Sequence, residues 1–117
     1  VKRGEIWTDS GGKDYAGTPR PVVILQEDRF DATDSITICA FTTDPTDAPL
    51  IRLAVVPNPS NGLRAVSRLM VDKITTVPKS KLGRRRGTLD AVDSVRLDRA
   101  LVVFLGLTPR NQAEDEG

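Results

Sequence analysis

"TPRPVVIL", residues Thr18–Leu25, sets an arginine between two prolines directly ahead of four aliphatic residues. The run Val22–Leu25 is suited to burial, so the permanently charged Arg20 at its entrance needs a reason. The strand that contains it, Arg20 to Gln26, is followed by the turn-rich "EDRFDATDS" and a second apolar run, Ile36 to Thr42. Consecutive strands joined by a modest loop pair antiparallel by default. A hairpin centred near Asp31 sets Gln26 opposite Ile36, Ile24 opposite Ile38, Val22 opposite Ala40 and Arg20 opposite Thr42. Because side chains alternate between faces, all of these share one side, with Arg20 and Thr42 at its open end. A two-residue slip keeps that pair diagonal, whereas an odd slip would put a sheet between them.

Working outward, short apolar runs bounded by turn residues fill the first two thirds of the chain, the spacing of a small antiparallel β domain. A first strand is expected near "RGEIW", Arg3 to Trp7, followed by the polar loop "TDSGGKDYAGTP". "IRLAVV" makes a fourth strand that stops at "PNPSNG", and Leu63 to Val77 supplies strand material interrupted once. In "LDAVDSVRLDRALVVFLGL", Asp90 and Asp93 suit a helix start and Gly106 with Pro109 a stop. A C-terminal helix is therefore expected, with a short strand at Val102 and Val103 as the alternative. The apolar "ALVVFLG" predicts that the helix is buried at that end. The whole reads as a mainly β (α+β) fold: one domain, residues 1–109, and a polar tail, residues 110–117, expected to be disordered.

Composition narrows the chemistry. The 117 residues hold 17 Lys and Arg against 16 Asp and Glu, so bulk charge does not select nucleic acid and any such site must be local. Lys79, Lys81, Arg84, Arg85 and Arg86 crowd one stretch; Glu114, Asp115 and Glu116 end the chain acidic. Histidine, the commonest metal ligand, is absent and Cys39 is the single cysteine, which argues against an internal disulfide and a zinc site. Cys39 falls on the face opposite Thr42 and reads as a buried filler. Without an apolar leader or a run of membrane-spanning length, the expectation is a reduced, cytoplasmic protein with no membrane partner.

A guanidinium beside a hydroxyl matches a phosphate, the first forking onto its oxygens and the second adding a neutral donor. The plainer alternative pairs Arg20 with a surface carboxylate and leaves Thr42 as strand filler. Beyond these two residues, the chain resembles the MazF/PemK-type toxins of bacterial toxin–antitoxin systems. The resemblance runs through "RGEIW", "RPVVIL", the "TT" of "ICAFTTDP" and "RLMVDKITTVPKSKLG" to the terminal helix. It implies a small SH3-like β-barrel with a C-terminal helix, assembled as a homodimer. It further implies an endoribonuclease that cuts single-stranded RNA without metal or cofactor, does not act on DNA, and is blocked by a cognate antitoxin. The family's catalytic arginine falls on Arg20 and its catalytic threonine on Thr42; an acidic residue of the preceding loop falls near Asp14. Lys73 in "VDKI" stands where many relatives carry glutamine, so the cleavage sequence is not carried over.

Other residues are read as RNA contacts, each beside a plainer role. Tyr15, flanked by Lys13 and near Thr18, can stack a base or simply cover core. Ser67 and Arg68 can touch the phosphate track or form a solvated edge. Lys79, Arg84, Arg85 and Arg86 can steer RNA or serve as a solubilising loop, and Trp7 fits the core or a dimer contact. With no histidine, attack by the RNA 2′-hydroxyl would rely on Arg20 as charge stabiliser and proton donor, Thr42 as a second donor, and Asp14 as acceptor or as orienter of the arginine. Two rivals share the fold. A gyrase poison of the CcdB type relies on an aromatic C-terminal end, which "AEDEG" lacks; a non-catalytic SH3-like module leaves Arg20 facing Thr42 unexplained.

Overall fold

The computed structural model describes residues 1–10 and 19–107, so Lys13, Asp14, Tyr15, Thr18 and the tail lie outside the described residues. Seven strands and a helix follow in order: β1 (Glu5–Asp9), β2 (Arg20–Ile24), β3 (Ser35–Thr42), β4 (Arg52–Val55), β5 (Ser67–Met70), β6 (Thr75–Pro78), β7 (Leu82–Thr88) and α1 (Ala91–Leu105). Every ladder is antiparallel, in the order β4-β5-β3-β2-β1-β7, with β6 also on β3. The sheet is not closed into a ring: β4 and β7 stand at the ends of that order.

The hairpin register is the expected one, Val22 opposite Ala40, Val23 opposite Cys39 and Ile24 opposite Ile38. β3 then changes partners along its length. Ser35–Ile38 pair with β6, whereas Phe41 and Thr42 pair with Leu69 and Arg68 of β5. A long strand shared this way bends the sheet around a core.

The uninterrupted aliphatic run is explained by burial on both faces. One face carries Ile6, Val23, Cys39, Phe41 and Leu69, closed over by Leu97 and Ala100 of α1. The other carries Val22, Ile24, Ile36 and Ile38, flanked by Trp7, Val77 and Leu82. Each such aliphatic side chain taken out of water contributes about 1.5–3 kcal/mol. Cys39 is fully buried on the helix side, and burial pushes its thiol up to about 12.

Three expectations need correction. β1 begins at Glu5, not Arg3, because Gly4 takes φ 88° and the Glu5 N–H bonds Lys2 O at 3.1 Å, so those residues form a turn. The basic run read as a loop is mostly β7, a strand along the second edge of β1 whose register slips twice. Arg84 and Arg85 stay outward while Gly87 lets backbone approach; a Cβ there would meet Ser60 O at 2.3 Å. The helix is present, capped by Asp90, whose carboxylate accepts from Asp93 N at 2.8 Å, and closed by Gly106 at φ 71°. Its end is not buried as expected. Leu97, Ala100 and Leu101 form the stripe that meets the core, which leaves Val103, Phe104 and Leu105 in solvent. No helix among the described residues is long and apolar enough to cross a membrane.

Candidate active site

The β2–β3 ladder ends at Val22 opposite Ala40, so the expected Arg20–Thr42 rung is not a ladder pair; on the outer edges of the hairpin Arg20 pairs with Asp9 of β1 and Thr42 with Arg68 of β5. Beyond that end lies a pocket of about 550 Å³ lined by Pro19, Arg20, Pro21, Phe41, Thr42, Thr43, Asp44 and Ser67. Arg20 and Thr42 thus reach the same compartment. Pro19 and Pro21 restrict the backbone on both sides of the arginine, and Phe41 supplies an apolar wall.

Hydrogen bonds fix what each hydroxyl can do. The Asp44 N–H donates to Thr42 Oγ1 at 3.1 Å, a local turn held by the side chain. With its oxygen accepting, the Thr42 hydroxyl keeps its proton for a partner in the pocket. Ser67 differs: its Oγ donates to Ala65 O at 3.0 Å, so toward a ligand it offers lone pairs.

The other residues read as RNA contacts are dispersed. Arg68 points to a neighbouring pocket of about 190 Å³, shared with Arg52 and Arg96. Lys73 is exposed in the 3₁₀ turn Val71–Lys73 and lines neither pocket. Lys79 pairs with Asp31 at 2.8 Å, and this contact holds the Asp31 carboxyl below its ordinary range. Arg85 pairs with Glu5 at 3.3 Å, and Arg86 donates to Gly62 O at 3.1 Å. Arg84 is exposed. Asp9 is flanked by Arg20 on one side and Leu82 on the other, which brings the start of β7 to the Arg20 end of the sheet.

Sequence reading missed Asp44 and Asp9. The signal for the first was local: a Thr hydroxyl can cap the backbone N–H two residues on, which here belongs to Asp44. The signal for the second was register, since Asp9 faces Arg20 across the ladder. Among the described residues, no group of three or more His, Cys, Asp or Glu comes together as metal ligands would.

Fold and pocket define a small open β domain with one packed helix and a cleft lined by both a guanidinium and a hydroxyl, a combination suited to phosphate. The chain matches the PemK-like, MazF-like toxins of type II toxin-antitoxin systems over residues 2–105, and it belongs to that family. It is 55% identical to a probable endoribonuclease MazF from Mycolicibacterium smegmatis over 107 residues, 92% of this chain and 98% of the relative. Its fold is similar to that of the Mycobacterium tuberculosis toxin MazF-mt6, with TM-score 0.71 and 25% identity over 85% of this chain and 93% of the other. It is similar also to an endoribonuclease solved with its cognate antitoxin from a mycobacterial species, with TM-score 0.74 and 23% identity, covering 95% and 99% of the two chains.

Proposed function

We propose that this toxin-family chain is a metal-independent endoribonuclease that cuts single-stranded RNA at short sequences. The 2′-hydroxyl beside the scissile phosphate attacks phosphorus and the 5′-oxygen leaves, giving a 2′,3′-cyclic phosphate and a 5′-hydroxyl. The observation that carries this reading is the shared pocket of Arg20 and Thr42. Preorganised donors in a partly dry cleft stabilise the charge that develops on the phosphorane oxygens, an effect worth several kcal/mol. Arg20 grips those oxygens and supplies the leaving group with a proton; Thr42, with its hydrogen available, adds the neutral donor. Family membership supports a second partner, a cognate antitoxin whose segment covers the cleft and blocks RNA.

Arg84 and its neighbours at the start of β7 steer RNA toward the Arg20 end of the sheet. The chain works as a homodimer in the cytoplasm, and the exposed Val103, Phe104 and Leu105 give it an apolar surface to bury against a second copy. The test is incubation of purified protein with mixed RNA in EDTA, followed by mapping of the ends. Defined breaks with 5′-hydroxyl ends, lost in Arg20→Ala, are expected. Intact RNA, or topoisomerase trapped on cleaved DNA, would overturn the reading.

A further inference from the structure

The reaction needs a group that takes the 2′-hydroxyl proton, and the chain has no histidine to do it. Among the described residues that line the Arg20–Thr42 pocket, Asp44 is the only carboxylate; the others are proline, arginine, phenylalanine, threonine and serine. Its position is not accidental to the loop. The Asp44 amide is hydrogen-bonded to Thr42 Oγ1, so the residue is tethered to the very hydroxyl that faces the phosphate. No side chain among the described residues bonds to its carboxylate, and the residue is exposed at the pocket rim, where a ribose can reach it. Among the other described carboxylates, Asp72 is held in a two-point pair by Arg52, and Asp9 lies in the ladder without lining the pocket.

We propose that Asp44 is a catalytic residue, the proton acceptor for the 2′-hydroxyl in the cleavage step. The assignment rests on the ribonuclease reading above. The Asp44 carboxylate takes the proton from O2′ as O2′ bonds to phosphorus; the bond from phosphorus to O5′ breaks, and O5′ leaves with a proton from the Arg20 side. Asp44 then returns its proton to water and the Arg20 side regains one from water, so the net change is one proton moved from O2′ to O5′ and atoms and charge balance without an oxidant or co-reactant. In-line displacement keeps attacking and leaving oxygens on opposite sides of phosphorus. Acceptor and donor therefore belong on different walls, and Asp44 follows β3 while Arg20 begins β2. Among the described residues, the charged groups around the carboxylate are Arg20 of β2 and Arg52 of β4, the latter close enough to feel the Asp44 charge and itself paired with Asp72.

Asp44→Asn keeps the backbone turn and the side-chain shape, so circular dichroism and melting should match the parent. Single-turnover cleavage of an RNA the parent cuts should slow by about 10²-fold or more, the usual contribution of a positioned base, with KM held. The acidic limb of the parent pH–rate profile should disappear. A substrate with sulfur in place of the bridging O5′, which needs no proton donor, should not restore the Asn variant. A variant that cleaves at the parent rate, keeps the acidic limb, changes only which sequence is cut, or is rescued by the sulfur substrate would overturn the assignment. Absence of 5′-hydroxyl ends from the parent itself would instead overturn the ribonuclease reading, and the assignment with it.

Discussion

In the proposed reaction, what Thr42 offers a phosphate follows from what it has already accepted. The Asp44 N–H occupies one lone pair of Oγ1 and sets the rotamer, so the hydroxyl proton is presented rather than searched for. Thr42→Ala should therefore lower the cleavage rate about 10²-fold, the effect of losing one transition-state donor, with the melting temperature nearly unchanged, as a single-turnover assay and calorimetry would show. Arg20→Ala removes the charge as well and should abolish cleavage while the fold survives. The pair was legible in the sequence because register is a local property: two apolar runs and a turn fix which residues share a face. The means of their meeting was not legible. On the other edge of β3, Thr42 pairs with Arg68 of β5, and that partner lies more than twenty residues further on, in a strand whose pairing no local pattern announces.

Among the elements, β4 and the Val71–Lys73 turn are tied by Arg52 and Asp72, Nε to Oδ1 at 2.9 Å and Nη2 to Oδ2 at 3.1 Å. The hydrogen bonds from Arg52 hold the Asp72 carboxyl below its ordinary range. A carboxylate depressed in the folded state stabilises the fold above its unfolded value and loses that contribution as pH falls through the folded one. Stability should thus fall on acidification below about pH 4, the ordinary aspartate range, and Asp72→Asn should flatten that part of the curve in urea titrations. Gly87 marks the other demanding junction. Alanine there would drive a Cβ into Ser60 O and Asn61, and a loss of about 1–3 kcal/mol is expected in the same assay. β7 shows why its strand went unread: "LGRRRGT" has no alternating apolar face, and what makes it a strand is the open edge of β1 together with glycines that admit neighbouring backbone. The helix was readable because its caps are local, Asp90 before and Gly106 after, but its exposed end was not, since composition cannot say how far a helix outruns the sheet beneath it.

For the molecule as a whole, near-neutral net charge makes any attraction to RNA a matter of arrangement. Lys79 and Arg85 are engaged in ion pairs with Asp31 and Glu5, so the steering contribution falls mainly on residues such as Arg84. Neutralising Arg84, Arg85 and Arg86 should slow association at low salt and flatten the salt dependence of binding, measured by stopped flow; an unchanged slope would remove them from the interface. The helix end gives a second molecular-scale test. Phe104→Glu puts a charge on the exposed apolar surface and should shift the protein toward monomer in sedimentation experiments, without loss of helix content.

The central claim is that one guanidinium and one hydroxyl act on the same phosphate. A double-mutant cycle on single-turnover cleavage, with Arg20→Lys, Thr42→Val and the pair combined, addresses it directly. The account predicts that the combined loss is clearly smaller than the product of the two separate losses, because each substitution already spoils the geometry the other residue relies on. Losses that multiply independently, or an Arg20→Lys protein that cleaves as fast as the parent, would contradict it.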